Sequence, residues 1–208
     1  FVLGIGDGAS AGLSGGQDPV GNRMYDNTAF RRMLWRAYQD AVAGPMLPER
    51  FTSQVSSRRS ILLKNNVTGL SNPNGIATYL NQRRTYIMNQ IKANDAAAFA
   101  ITSNNGANFT STTPTGVLEG TAPFAVADLE VNGTPYPHAW LTYTTFRLQV
   151  PLTEVTNVLV LRGRDRRGDI LASATDTITV VYRGAIQQPE DYVVLNEIHY
   201  NSLEPNAS

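Results

Sequence analysis

The chain has 208 residues, of which 42% are hydrophobic, and its formal net charge at pH 7 is zero. This length and composition are normal for a globular protein and leave room for one large or two ordinary domains. The absence of cysteine excludes thiol catalysis, disulfide bonds and cysteine-ligated zinc. No apolar run is long enough to cross a bilayer, so we expect no membrane span in this chain.

Charge is shared unevenly along the chain. Residues 1–98 contain 11 Lys and Arg against 6 Asp and Glu, a net charge of +5, whereas residues 99–208 contain 6 against 11, a net charge of −5. This difference indicates two domains of different character. Arginine outnumbers lysine 15 to 2, but the arginines are scattered and form no single basic run, so nucleic-acid binding is not expected.

The first 21 residues are predicted to form a strand end and a loop. FVLGIG, residues 1–6, is a short apolar run that contains glycine, which favours the end of a buried strand. The Gly- and Ser-rich stretch 6–21 is interpreted as a surface loop, because it lacks the lysine that a phosphate-binding loop needs. The chain begins with Phe1 instead of methionine, and we expect a processed or partial chain.

Residues 26–44 carry the strongest local signal, that of an amphipathic helix. Three polar residues at 26–28 can cap its first turn, and Gly44 followed by proline ends it. Its predicted buried face has the three-and-four spacing of one helical side and consists of Phe30, Met33, Leu34, Ala37, Tyr38, Ala41 and Val42. Its predicted exposed face consists largely of Arg31, Arg32, Arg36, Gln39 and Asp40.

Two further helices are predicted at residues 48–66 and 76–93, the first with proline in its first turn. The buried face of the first is expected to contain Phe51, Val55 and Leu62, with Arg58 and Arg59 lying along it. The stripe of the second is Ile76, Tyr79, Leu80, Arg83, Ile87 and Ile91. Short links predict three antiparallel helices, which we expect to cover a sheet ending in residues 1–6.

From residue 99 the pattern changes to short runs rich in Val, Thr, Tyr, Phe and Leu, with turn signals every eight to twelve residues. This pattern is typical of a β-sandwich, and about 85 residues suit one immunoglobulin-like unit. The predicted strands are residues 99–102, 115–119, 125–131, 140–150, 157–162 and 173–182. Asn132-Gly133 and the sequence Arg-Gly-Asp at 167–169 are predicted hairpin turns.

After a polar linker at residues 183–190, the sequence DYVVLNEIHYN again has a strand pattern. A single strand cannot form a domain, so it is expected to pair with other sequence or with another molecule. One hypothesis is strand addition to a neighbouring copy, with an interface made of Tyr192, Val194, Leu195, Ile198 and Tyr200. The alternative is that this strand opens a further domain.

Several motifs resemble known families. The helical part, with DNTAFRRMLWRAYQDAV, LPERF and YLNQRRTYIMNQI, resembles the C-terminal part of the CotH-type spore-coat kinase fold. VNGTPYPHAWLTYTTFRLQVPL and NVLVLRGRDRRGD resemble hairpins of immunoglobulin-like modules, and YVVLNEIHYN is similar to the opening strand of a lamin-tail-type domain. The resemblance implies a CotH-like helical part at 1–97, a sandwich at 98–184, and a linker with a first lamin-tail strand at 185–208.

We predict no catalytic residue, cofactor or metal in this chain. The metal-binding and nucleotide-binding half that the CotH resemblance implies would lie upstream of Phe1, and phosphoryl transfer depends on those groups. His138 and His199 are interpreted as ordinary, partly exposed residues. The sequence RGRDRRGD is interpreted as a charged hairpin tip in preference to a calcium loop.

The fold class is therefore predicted to be α+β and multidomain, with a three-helix module followed by an immunoglobulin-like antiparallel β-sandwich. The expected function is that of a structural or adhesive segment of a secreted or cell-surface bacterial protein that assembles into a fibre by strand addition. Its expected partners are other domains of a larger parent protein and further copies of itself. The alternative is an incomplete, magnesium- and ATP-dependent protein kinase.

Overall fold

The computed structural model describes residues 19–96 and 98–186. The helices within these ranges are α1 (Pro19–Asp26), α2 (Thr28–Ala43), α3 (Pro48–Lys64) and α4 (Asn74–Asn94). The three predicted helices are confirmed as α2, α3 and α4. Helix α1 corrects the predicted loop, which extended to residue 21, since Pro19 is preorganised for a first helical turn.

The ends of α2 follow from its capping residues. The side-chain oxygen of Asn27 accepts hydrogen bonds from the backbone N–H groups of Ala29 and Phe30, at 3.1 and 3.2 Å. These bonds satisfy two of the free donors of the first turn. At the other end, Gly44 takes the capping position, as the sequence predicts.

The predicted buried face of α2 was partly wrong, although Val42 is buried as predicted. The buried residues of α2 are Arg32, Trp35 and Val42, whereas Phe30 and Met33 are 48% and 54% exposed. The arginine-bearing side of the helix therefore faces the protein interior. The hydrophobic pattern missed this orientation because Arg32 is buried through hydrogen bonds to residues far away in the sequence.

Helix α4 packs between α2 and α3. Its buried residues are Arg83 and Ile87, and the side chain of Arg84 donates a 2.9 Å hydrogen bond to the carbonyl oxygen of Val42 at the end of α2. In α3 only Phe51 is buried. The predicted core positions Leu62 and Ile76 are exposed, and the sheet expected at residues 1–6 lies outside the described residues.

The remainder of the described chain contains nine strands in two sheets. They are β1 (Ala100–Ile101), β2 (Phe109–Ser111), β3 (Thr115–Thr121), β4 (Asp128–Val131), β5 (Thr134–Pro135), β6 (His138–Trp140), β7 (Thr145–Pro151), β8 (Thr156–Arg164) and β9 (Ile170–Tyr182). One sheet has the order β1-β3-β7-β6 and the other β2-β9-β8-β4-β5. The six predicted strands are present, but residues 140–150 are divided between β6 and β7, and β2 and β5 were missed.

The two sheets form a β-sandwich with an immunoglobulin-like strand order. In β3, β7 and β8, inward residues such as Leu118, Phe146, Leu148 and Leu161 are buried and alternate with more exposed ones. The α+β fold class is confirmed. The pairing is antiparallel except that β2 runs parallel to β9, with Phe109 opposite Val180.

Asn157 closes the corner between β7 and β8. Its side-chain oxygen accepts hydrogen bonds from the N–H groups of Thr153 and Glu154, at 3.1 and 3.2 Å. Its amide donates to the carbonyl oxygens of Glu154, at 2.6 Å, and Val180, at 3.4 Å. A single buried side chain thus satisfies the backbone of a tight corner and joins it to β9.

The register places three connections at one end of the sandwich. The end of β3 is opposite the start of β7, because Thr121 pairs with Thr145, and the start of β4 is opposite the end of β8, because Asp128 pairs with Arg164. We call this the loop end; it consists of residues 122–127, 141–144 and 165–169. The chain enters β1 at the loop end and leaves β9 at the opposite end.

The predicted hairpin turns are confirmed. Asn132 and Gly133 connect β4 to β5 with positive φ angles of 49° and 84°, the conformation of the two-residue turns that suit twisted hairpins. The turn between β8 and β9 contains Gly168 with a φ of 90°.

Candidate functional site

Helix α2 lies on the loop end of the sandwich. In immunoglobulin variable domains, the loops between the second and third strands of the fold and between its last two strands belong to the antigen-binding end. The corresponding connections here, residues 122–127 and 165–169, contact a helix of the same chain. We call this contact region the junction.

Arg32 is the centre of the junction and is fully buried. Its Nη1 atom donates hydrogen bonds of 3.0 and 2.7 Å, and its Nη2 atom donates one of 2.7 Å and one further short bond. The acceptors are the backbone carbonyl oxygens of Ala122 and Tyr143 for Nη1, and of Val126 and Pro123 for Nη2. One side chain of α2 therefore binds two connections of the loop end at once.

Burial and, to a smaller extent, the nearby charge of Arg36 lower the pKa of Arg32 to about 9, while Asp95 opposes the shift. The guanidinium is nevertheless protonated at neutral pH. Its charge is stabilised by carbonyl dipoles and by the face of an indole, since its guanidinium carbon lies 3.6 Å from the ring centroid of Trp140.

Aromatic rings surround this guanidinium. Trp35, one helical turn beyond Arg32, stacks on Phe124 with ring centroids 5.4 Å apart and an interplanar angle of 6°. Trp140 contacts Phe146 of the core edge to face, at 6.2 Å. The junction is therefore continuous with the hydrophobic core of the sandwich.

Asp95, in the segment between α4 and β1, joins helix and loop through both of its carboxylate oxygens. One oxygen accepts hydrogen bonds from the N–H groups of Phe124, at 2.6 Å, and Ala96, at 2.9 Å; the other accepts from Gln39 of α2, at 3.2 Å. Burial raises the pKa of Asp95, partly opposed by these hydrogen bonds and by the charge of Arg32.

Two polar contacts flank Arg32 along α2. Near the start of the helix, the hydroxyl of Thr28 donates a 2.9 Å hydrogen bond to the carbonyl oxygen of Trp140. Nearer its end, Asp40 forms an ion pair with Arg166, with an N–O distance of 2.8 Å. These contacts are about three turns apart on α2, so the helix is held at both ends of its contact with the sandwich.

The sequence RGRDRRGD forms the charged hairpin tip that was predicted. The carboxylate of Asp165 accepts hydrogen bonds from the N–H groups of Arg167 and Asp169, at 2.8 and 3.0 Å. The bond from Asp169 is the main reason that the pKa of Asp165 is lowered. No local pattern in the sequence predicts that Arg166 of this tip reaches Asp40 of α2.

The two histidines and the predicted strand-addition residues do not form a common site in the part of the chain that the structure describes. His138 lies in β6, with Nδ1 3.3 Å from the carbonyl oxygen of Tyr136 and its ring edge to face with Trp140. Within residues 19–96 and 98–186, no three His, Asp or Glu side chains are grouped to hold a metal ion. His199 and the predicted strand-addition residues Tyr192, Val194, Leu195, Ile198 and Tyr200 lie outside the described residues.

Comparison with known proteins identifies no family. No family model matches the chain, and no curated protein matches it. Among solved structures, the chain is similar to the fibronectin(III)-like modules of Clostridium thermocellum CbhA, with 12% sequence identity and a TM-score of 0.30. That match covers 42% of this chain and 98% of the other.

The resemblances to a CotH-type kinase fold and to a lamin-tail-type domain therefore remain predictions. In the part of the chain that the structure describes, no helix has the length and apolarity needed to span a membrane.

One signal for the junction is present in the sequence of α2. Arg32, Trp35 and Gln39 are spaced by three and four residues, so they share a helical side that competes with the more apolar one. Only the arrangement of distant carbonyl groups decides between the two sides.

Proposed function

We propose that this chain is a structural or adhesive segment of a larger secreted or cell-surface bacterial protein, in which it acts as a stiff spacer. The observation that supports this proposal most strongly is the position of Arg32. It fastens α2 to the end of the sandwich that immunoglobulin variable domains use for binding, so that end serves attachment within the chain.

The direction of the strands also favours a spacer. Because β2 and β9 are parallel, the chain crosses the sandwich from its loop end to its opposite end. A module of this kind adds its length, about 40 Å for the 13 residues of β9, between whatever precedes and follows it. Modules connected in this way extend in line.

A spacer must also hold an angle. Arg32 makes its four bonds at the centre of the junction, while Thr28 and Asp40 contact the sandwich on either side of it. A single contact would allow α2 to pivot, whereas three separated contacts oppose rotation. The junction thus has the arrangement expected of a fixed angle between the helices and the sandwich.

The remaining details belong to the same proposal. A chain without cysteine is compatible with a bacterial surface location, where free thiols are a liability. Its partners are other domains of the parent protein and further copies of the chain, joined through residues 190–208 by strand addition. Non-closing contacts of this type produce fibres.

Small-angle X-ray scattering of the full chain tests the spacer. We expect one conformation of helices and sandwich to fit the wild-type data and the Arg32→Met data to require a mixture of orientations. The spacer proposal is wrong if the wild-type chain already requires such a mixture. Protease treatment of intact producing cells tests the location, because a surface protein is cleaved and an internal one is protected.

A further inference from the structure

The outer halves of α3 and α4 form a surface that the described residues leave uncovered. We call residues 56–82 the helical arm. Every residue from position 60 to 69 is exposed, although this stretch includes large hydrophobic side chains. Those of the arm, between 39% and 58% exposed, are Ile61, Leu62, Leu63, Val67 and Ile76. Apolar groups clustered in this way mark interaction surfaces.

The pair of helices that carries the arm is strongly basic. Residues 48–94 contain 7 Lys and Arg against a single acidic residue, Glu49, a net charge of +6. Two of the cations, Arg58 and Lys64, are exposed beside the apolar residues at 61–63. A partner that covers the arm must therefore bring apolar side chains together with carboxylates.

The C-terminal residues of this chain have that composition. Residues 187–208 contain Glu190, Asp191, Glu197 and Glu204 and no Lys or Arg, a net charge of −4. Between these acids lies the apolar sequence YVVL, followed by an isoleucine and a tyrosine. We call residues 187–208 the acidic segment.

Distance favours a donor in another copy. The chain leaves β9 at the end of the sandwich opposite to α2, and β9 alone is about 40 Å long. The nine residues between Tyr182 and Tyr192 reach at most about 30 Å when fully extended. The start of the acidic segment, with Glu190 and Asp191, therefore does not reach back along β9 to the helical side of its own copy.

We propose that the acidic segment of one copy docks on the helical arm of the next copy, head to tail. This rests on the proposed self-association through the C-terminal residues but replaces strand addition as its mode, because the helices of the arm have no free strand edge and the contact is made by side chains. Each copy has a donor at one end and an acceptor at the other, so the contact does not close and copies add in a line. The exposed apolar residues of the arm favour a protein segment over a nucleic acid as its occupant.

Charge reversal tests the proposal on the full chain. One variant carries Arg58→Glu and Lys64→Glu in the arm, and the other carries Glu190→Lys and Asp191→Lys in the acidic segment. Because Arg58 and Lys64 are exposed, we expect the arm variant to fold normally. Arg23→Glu, at an exposed arginine of α1, is the matched control.

Analytical ultracentrifugation over a range of concentrations is the readout. We expect the wild type and the Arg23→Glu control to assemble, each reversed variant to assemble roughly tenfold or more weakly, and the two reversed variants to associate when mixed. An arm variant that assembles like the wild type overturns the proposal. If that variant also loses binding to a DNA oligonucleotide that the wild type binds, the occupant of the arm is a nucleic acid.

A deletion separates the two levels of the proposal. If removal of residues 187–208 abolishes assembly while the arm variant leaves it intact, the segment joins copies at another surface and only the acceptor is wrong. If assembly survives the deletion, or if the wild type is monomeric at every concentration, the proposed assembly itself is wrong.

Discussion

The guanidinium carbon of Arg32 lies 3.6 Å from the ring centroid of Trp140, although the two residues are more than 100 positions apart in the sequence. Trp140 ends β6 and contacts Phe146 of the sandwich core. The helix and the sandwich therefore meet through a buried cation and an aromatic ring. Most of the expected properties of the molecule follow from this contact.

Replacing Arg32 with methionine should lower the free energy of unfolding by about 3 kcal/mol, because four carbonyl oxygens lose their donors in a buried place. The stability of Arg32→Lys should lie between that of the wild type and that of Arg32→Met, since an ammonium keeps the charge but cannot reach all four acceptors. Urea unfolding followed by tryptophan fluorescence measures both. The exposed Arg23→Met is the control and should change stability by less than about 0.5 kcal/mol; equal effects at both positions would contradict the role of Arg32.

The stability contributed by Asp95 should depend on pH. Burial raises its pKa above the ordinary value of 3.8, so the folded state holds the proton more tightly than the unfolded state does. Its contribution is therefore complete below about pH 3.8 and decreases as pH rises through the raised pKa. The unfolding free energy of the wild type minus that of Asp95→Asn, measured between pH 3.5 and 7, should fall with pH. A difference that stays flat or increases would contradict the direction of this shift.

These two residues show why the junction could not be predicted from the sequence. The ends of α2 depend on neighbours, Asn27 and Gly44, and were predicted within one or two residues. The orientation of α2 depends on carbonyl groups 90 to 111 positions away, which no local pattern contains. The hydrophobic pattern of α2 placed Arg32 on the exposed face, because such a pattern contains no information on hydrogen-bond acceptors in another part of the chain.

The corner residue Asn157 should be sensitive to truncation. Asn157→Ala leaves the N–H groups of Thr153 and Glu154 without their side-chain acceptor and removes a buried side chain, and we expect a loss of about 2 kcal/mol. Asn89→Ala, at an exposed position of α4, is the matched control and should be close to neutral. Thermal and urea unfolding measure both variants, and equal stabilities would show that water replaces the lost acceptor.

Gly120 should not tolerate a side chain. A Cβ atom there would lie 2.4 Å from the carbonyl oxygen of Ala100 and from a ring carbon of Phe146, so Gly120→Ala should destabilise by about 2 kcal/mol and disturb the β1–β3 pairing. At Gly75 in α4, a Cβ atom meets nothing within 4 Å, and Gly75→Ala should stabilise by roughly 0.5 kcal/mol. Opposite signs in urea unfolding are expected; a neutral Gly120→Ala would contradict this close packing.

The sandwich was predicted more accurately than the junction because alternation along each strand is local. Asn132-Gly133 predicted its hairpin, and the predicted strands at 115–119 and 140–150 contain the buried residues Leu118 and Phe146. The prediction failed at residues 141–144, which were included in one continuous strand at 140–150. There the hydroxyl of Thr142 accepts hydrogen bonds from the N–H groups of Thr144 and Thr145, which makes a turn.

The most direct test of the junction is a distance measurement between spin labels. The natural chain has no cysteine, so labels can be placed at Ala37→Cys on α2 and Val158→Cys on β8, both at exposed positions. We expect one narrow distance distribution, which Arg32→Met broadens and the exposed control Arg23→Met leaves unchanged. A broad distribution with Arg32 in place, or a narrow one that persists in Arg32→Met, would contradict the claim that Arg32 fixes the helix on the sandwich.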